Sequence, residues 1–311
     1  MLFPILLTLL TTAHALTPSP GCGKALPQGT SQGSTGASNT LTLTSSGRTR
    51  SFLLHVPTNY SPTSARGLIF SFHGRTRTAA SQEVLSGFSD PFFNRDLLAV
   101  YPQGVDNQWQ GDPEATTDDV AFTLDMIDYI SARYCVDTDR IYATGKSNGG
   151  GFSANILPCN GTATQRIAAF ASNSGAYYQE PVSGTCPAET VPIPCLPSRP
   201  IPLLTLHGTA DTTIPYSGGS RRSKCLPSLP HFLQNWAFVN NFATSNATTQ
   251  LYGNRVQKYE FGGQEGFLTG YRVEGLGHSW ASTVGNSDSG VGTYLNATSV
   301  MMEFFGKHTL K

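Results

Sequence analysis

The stretch Arg140-Ile141-Tyr142-Ala143-Thr144-Gly145-Lys146-Ser147-Asn148-Gly149-Gly150-Gly151-Phe152 decides how the rest of the chain is read. Its first six residues read as a buried strand, and the glycine-rich run leading to Phe152 reads as the entry to a helix. Between them stands Gly145-x-Ser147-x-Gly149. A chain that turns this sharply from strand to helix forces the serine into a strained backbone angle. It needs glycine two residues either side, because a side chain there would collide with the neighbouring strand and helix. Strand, turn and helix in this order predict a serine presented at the top of a sheet as a nucleophile.

Outward from the elbow, strands and helices alternate. Arg50 to Val56 alternates as an antiparallel strand does, and Gly67 to Phe72, Leu97 to Tyr101, Ala168 to Ala171 and Ile201 to Leu206 read as buried strands. Tyr271 to Glu274 is the last strand expected. Thr117 or Asp118 caps a helix with Val120, Leu124, Ile127 and Ile130 on one face, and a closing helix carries Tyr294, Met301, Phe304 and Phe305. Ser31 to Ser46, rich in Gly, Ser and Thr, reads as a loose lead-in, and Tyr177 to Pro230 as two disulfide-tied insertions around the strand at Ile201. The alternation implies a mostly parallel central sheet with helices on both faces.

Serine needs a base, and the base needs an acid that holds its tautomer. With an elbow of this type the chain order is Ser, then Asp or Glu, then His, and the fold is of the α/β-hydrolase type. Asp211, in His207-Gly208-Thr209-Ala210-Asp211, follows a strand, where functional groups of open α/β sheets gather. His278, in Gly275-Leu276-Gly277-His278-Ser279-Trp280, follows the final strand. Ser147, Asp211 and His278 are therefore the expected catalytic residues. The backbone amides of Asn148 and of Arg75, in the His73-Gly74-Arg75 loop, are the expected oxyanion donors. His73 and His207 read as scaffold residues. Trp109 and Trp280 are candidates for an aromatic substrate pocket.

The chain has 20 basic and 20 acidic side chains, so no net field attracts nucleic acid or an anionic membrane, and a neutral substrate fits better. Met1 to Ala15 is a short apolar run ending in Ala13-x-Ala15, which reads as a signal peptide. It is too short for a bilayer, which takes about 20 apolar residues. Residues 16–311 then form one esterase domain with no appended carbohydrate-binding module. Six cysteines (Cys22, Cys135, Cys159, Cys186, Cys195 and Cys225) suit an oxidising, extracellular compartment, with pairing left open. Sequons at Asn160, Asn246 and Asn296 are expected glycan sites, and that at Asn59 is weakened by Pro62.

His73-Gly74-Arg75, Tyr101-Pro102-Gln103-Gly104, Thr117-Asp118-Asp119-Val120, Gly145-Lys146-Ser147-Asn148-Gly149-Gly150, His207 to Asp211 and Gly277-His278-Ser279-Trp280 occur in an order that resembles secreted fungal feruloyl esterases of the C type, related to polyhydroxybutyrate depolymerase-like esterases. The resemblance implies hydrolysis of hydroxycinnamate esters on arabinoxylan or pectin, with no metal and no organic cofactor. It also implies the roles given above to Ser147, Asp211 and His278. The alternatives are an acetylxylan esterase or a polyhydroxybutyrate depolymerase-like enzyme, and further off a serine peptidase or a non-catalytic binding module, since pocket shape and not the triad sets acyl choice.

Overall fold

A computed structural model describes residues 16–33, 36–195, 197–263 and 266–310. The expected leader, Met1 to Ala15, lies outside the described residues. In chain order the strands are β1 (Asn39–Ser45), β2 (Arg48–His55), β3 (Arg66–Phe72), β4 (Leu98–Pro102), β5 (Val136–Gly145), β6 (Ala169–Asn173) and β7 (Leu203–Gly208). A small hairpin, β8 (Gly219–Arg221) and β9 (Lys224–Leu226), comes next, then β10 (Asn246–Leu251), β11 (Val256–Phe261) and β12 (Leu268–Val273). The helices are α1 (Ala79–Ser86), α2 (Asp119–Ser131), α3 (Asn148–Gly151, continued by a π turn over Phe152–Ile156), α4 (Gly161–Thr164), α5 (Leu229–Val239) and α6 (Ala297–Phe305).

Ten strands form one sheet in the order β1-β2-β4-β3-β5-β6-β7-β12-β11-β10. From β4 to β12 neighbours run parallel, and both margins are antiparallel. Alternation in the strands sends side chains to two cores. Leu68, Phe70 and Phe72 join α2 and α5 on one face, with Met126, Ile127, Phe232 and Trp236. Ile69, Tyr142 and Leu206 join α1 and α6 on the other, with Ala79, Met301 and Phe305. The fold expected from the sequence is the fold observed.

Local chemistry sets the helix ends. The Asp118 carboxylate accepts the Ala121 amide at 2.8 Å, so Asp118 rather than Thr117 caps α2. Asn296 caps α6 through the Thr298 and Ser299 amides, which places Tyr294 before the helix and not within it. Three disulfides, Cys22–Cys135, Cys159–Cys195 and Cys186–Cys225, tie down the N-terminal segment and the insertions around β7.

The expected loose lead-in is corrected, since its second half is β1, paired antiparallel with β2. Leu41 and Leu43 turn toward the core while Thr40, Thr42 and Thr44 face solvent. Among the described residues no helix is long and apolar enough to cross a membrane.

Candidate active site

Because β3, β5, β6, β7 and β12 run in one direction, the loops after them converge on one edge of the sheet. Gly74 and Arg75 follow β3, Ser147 follows β5, Tyr178 lies beyond β6, Asp211 follows β7, and His278 follows β12.

Ser147 has φ 55° and ψ −121°, a conformation that costs of order 1–3 kcal/mol for a residue with a side chain. The surrounding contacts hold it there. A Cβ on Gly145 would lie 2.5 Å from the Gly149 carbonyl, and one on Gly149 would lie 2.3 Å from the Phe72 carbonyl oxygen. Both glycines are thus required by the close approach of β3 and α3, as the sequence predicts. The amides of Ser147 and Ala176 are tied to Asn173 O (3.1 Å) and Ser147 O (2.9 Å), which fixes the turn on both sides.

His278 Nδ1 lies 2.7 Å from Asp211 Oδ2. A carboxylate can only accept, so Nδ1 carries the proton and the lone pair of Nε2 is left for the cleft. Asp211 is buried, and its other oxygen accepts the amides of Thr213 (2.9 Å) and Ile214 (2.8 Å). His207 Nε2 donates to Ile214 O at 2.8 Å and sits 3.3 Å from Asp211 Oδ2. Burial opposes the Asp211 charge, but the hydrogen bonds from His207 and His278, with the His278 charge and the Ile214 amide, hold the carboxyl well below the usual range. For His278, burial lowers the pKa, Asp211 opposes that shift, and the Lys146 charge adds to it.

The loop after β3 lies against Ser147, since a Cβ on Gly74 would meet Ser147 Cβ at 3.4 Å. In this loop the Thr76 amide bonds Asn107 O and the Arg77 amide bonds Gly74 O. The Asn148 amide opens α3, where helix geometry gives it no intrahelical acceptor. His73 is buried, with Nδ1 donating to Gly74 O (2.8 Å) and Nε2 accepting the Gly104 amide (3.0 Å). Burial pushes its pKa down to about 4, so it is neutral and shapes the loop.

Ser147, Asn148, Arg75 and His278 line one cleft of about 270 Å³. A larger groove of about 1010 Å³ runs between α1 and the loop before α6, but Ser147 does not border it. Neither tryptophan expected at the pocket lines the cleft, and both are corrected. Trp109 is fully buried beneath the elbow, packed on Phe72 and Phe152, with its indole N–H on His73 O at 2.9 Å. Its main chain clamps the Asn148 side chain, with Trp109 N donating to Asn148 Oδ1 at 2.8 Å. Trp280 turns into the opposite core, near Phe88 and bonded to Thr298 Oγ1. The aromatic ring on the cleft is Tyr178, beside Ala176 and Ile214. Its one signal in the sequence is position, three residues after the Gly175 that follows β6.

The His278 loop is anchored from behind. Asn173 Nδ2 donates to Ser279 O at 2.7 Å, and Asn173 Oδ1 accepts the Ala281 amide at 3.1 Å. A buried Lys146–Asp288 ion pair of 2.8 Å joins the elbow to the same region, where Asp288 also accepts the Trp280 amide.

No family model matches the sequence. The chain is 29% identical over 223 residues to feruloyl esterase B of Piromyces equi, an alignment covering 68% of this chain and 39% of that protein. It is 29% identical over 233 residues to feruloyl esterase C of Emericella nidulans, covering 70% and 73% of the two. The chain therefore spans well under two thirds of the length of the Piromyces relative. The solved acetyl xylan esterase from Aspergillus awamori superposes with a TM-score of 0.60 at 17% identity, covering 83% of this chain and 94% of that one. The chain has the α/β-hydrolase fold and is similar in sequence to fungal feruloyl esterases.

Proposed function

We propose that this chain is a secreted serine carboxylic-ester hydrolase that releases ferulate and related hydroxycinnamates from plant cell-wall polysaccharides such as arabinoxylan and pectin. The observation that carries the reading is one cleft holding a strained Ser147 and a His278 whose Nδ1 is committed to Asp211. His278 Nε2 takes the Ser147 proton as the hydroxyl oxygen attacks the ester carbonyl. The amides of Asn148 and Arg75 hold the oxyanion, and the leaving alcohol receives the proton from His278. Water then repeats the path on the acyl-Ser147 ester and frees the acid. Three disulfides and the apolar run at Met1 to Ala15 support export, and exposed Asn246 supports an N-glycan on β10. Asn160 and Asn296 retain their sequons while serving as helix caps.

A second reading, an acetylxylan esterase, draws support from the modest size of the cleft and from the Aspergillus structure. Tyr178 separates the two. If it flanks an aromatic acyl group, Tyr178→Ala lowers kcat/KM on methyl ferulate about three- to tenfold, mostly through KM, and leaves p-nitrophenyl acetate nearly unchanged. Wild-type activity confined to acetate esters, with no loss in Tyr178→Ala, refutes the feruloyl reading and favours the acetyl one.

A further inference from the structure

The chain as a whole is neutral, but the cleft is not. Its rim carries Arg75, Arg77, Arg221 and Arg222, with Lys146 at its base and Asp112 as the carboxylate on the lining. Most of these charges are spent on one another. Arg222 Nη1 lies 2.7 Å from Asp112 Oδ2 and also pairs with Glu114. Arg75 pairs with Glu114 at 2.7 Å and approaches Asp112 at 3.7 Å. Lys146 is taken by Asp288, and Asp211 by the two histidines.

Two cations are left over. Among the described residues neither Arg77 nor Arg221 makes an ion pair. Arg77 stands on the turn next to the nucleophile, its Cγ 3.9 Å from where a Gly74 Cβ would lie, as Ser147 Cβ is at 3.4 Å. Arg221 ends β8 and lines the same cleft, and its Nε is buried with no hydrogen-bond partner. That Nε is out of a ligand's reach, but the side chain lines the cleft and makes no ion pair among the described residues, and a carboxylate is the acceptor that best matches the planar guanidinium fork. The hairpin presenting Arg221 is held in place by the Cys186–Cys225 disulfide, by the paired Gln179 and Cys225 amides, and by the Arg222–Asp112 ion pair.

We propose that Arg77 and Arg221 form an anion subsite beside Ser147 that takes a carboxylate carried by the ester substrate. The proposal rests on the esterase reading of Ser147. The shared chemistry is a carboxylate, carried either by the sugar that forms the alcohol side, as in a uronic acid residue, or by the acyl group. The neutrality of the whole chain does not speak against it, because net charge averages over surfaces the substrate never meets.

Binding to Ser147→Ala tests the subsite without requiring turnover. Titration calorimetry compares feruloyl glucuronate with feruloyl glucose for the sugar side, and monomethyl with dimethyl terephthalate for the acyl side. The expected result is about tenfold tighter binding of the charged member in one pair, which names the side, weakening as salt rises. Adding Arg221→Gln or Arg77→Gln brings the ratio within that pair close to one, and Arg221→Lys keeps part of the preference. Equal affinities within both pairs, or a preference that survives in both glutamine variants, overturn the subsite. Failure of the esterase reading shows separately, as absence of ester hydrolysis by the wild-type chain.

Discussion

Ser147→Ala is expected to lower kcat on methyl ferulate by about 10⁶, the scale on which removing the nucleophile of a coupled triad acts. The loss is large because His278 then has no hydroxyl to deprotonate and no acyl-enzyme can form. What remains is the oxyanion site and substrate binding, worth about 10³–10⁴ over water. The fold should not pay for the change. The bonds that fix the turn run through the main chain, from Ser147 N to Asn173 O and from the Ala176 and Gly151 amides to Ser147 O. Alanine keeps the Cβ and bears the same positive φ. The check is steady-state hydrolysis alongside thermal unfolding, with activity gone and the unfolding transition in place.

Asp211→Asn is the second large effect, about 10⁴ in kcat. The geometry explains why an isosteric change is so costly. Asp211 is held between acceptor roles only, toward His278 Nδ1, His207 Nε2 and the amides of Thr213 and Ile214. With the amides keeping the asparagine oxygen, its NH₂ faces His278 and calls for the tautomer with the proton on Nε2, which cannot accept from Ser147. The pH profile carries the same logic. In the proposed mechanism the base must be neutral, and burial, with the Lys146 charge, lowers the His278 pKa from its ordinary 6.5 against the opposing pull of Asp211. The acid limb of kcat/KM in the wild type therefore falls below pH 6.5. In Asp211→Asn the opposing pull is gone, so the residual activity has its acid limb at still lower pH. A limb that moved upward in the variant would contradict this assignment of charges.

The elbow and the two loops were legible in the sequence because each is dictated by local constraints. Gly145 and Gly149 are demanded by backbone approaching within 2.5 Å of any Cβ, and a strand-to-helix turn of that kind has few sequence solutions. That Asp211 and His278 meet was legible from chain order and from their places after apolar strands. The tryptophans were misread because size and aromatic character do not reveal which way a ring faces, and both rings are buried on opposite sides of the sheet. Tyr178 and Arg221 were missed because they lie in insertions whose course is set by disulfides and long-range bonds. α1 was hidden by buried Gln82 and Glu83, which erase its apolar face. β10 offers almost no burial pattern, being exposed along most of its length. The Thr117-Asp118-Asp119 motif turns out to hold the scaffold. Asp118 caps α2, while Asp119 pairs with buried Arg50 at 2.8 Å and accepts the Gln110 amide next to Trp109.

A fluorophosphonate probe decides whether Ser147 is an activated nucleophile, because it reacts with such a serine and not with ordinary hydroxyls. Digestion and mass spectrometry then locate the adduct. One label per chain is expected, on the peptide containing Gly145-Lys146-Ser147-Asn148-Gly149, with ester hydrolysis lost in proportion to labelling. A chain that hydrolyses esters while staying unlabelled, or that carries the label on another residue, rules out Ser147 as the nucleophile.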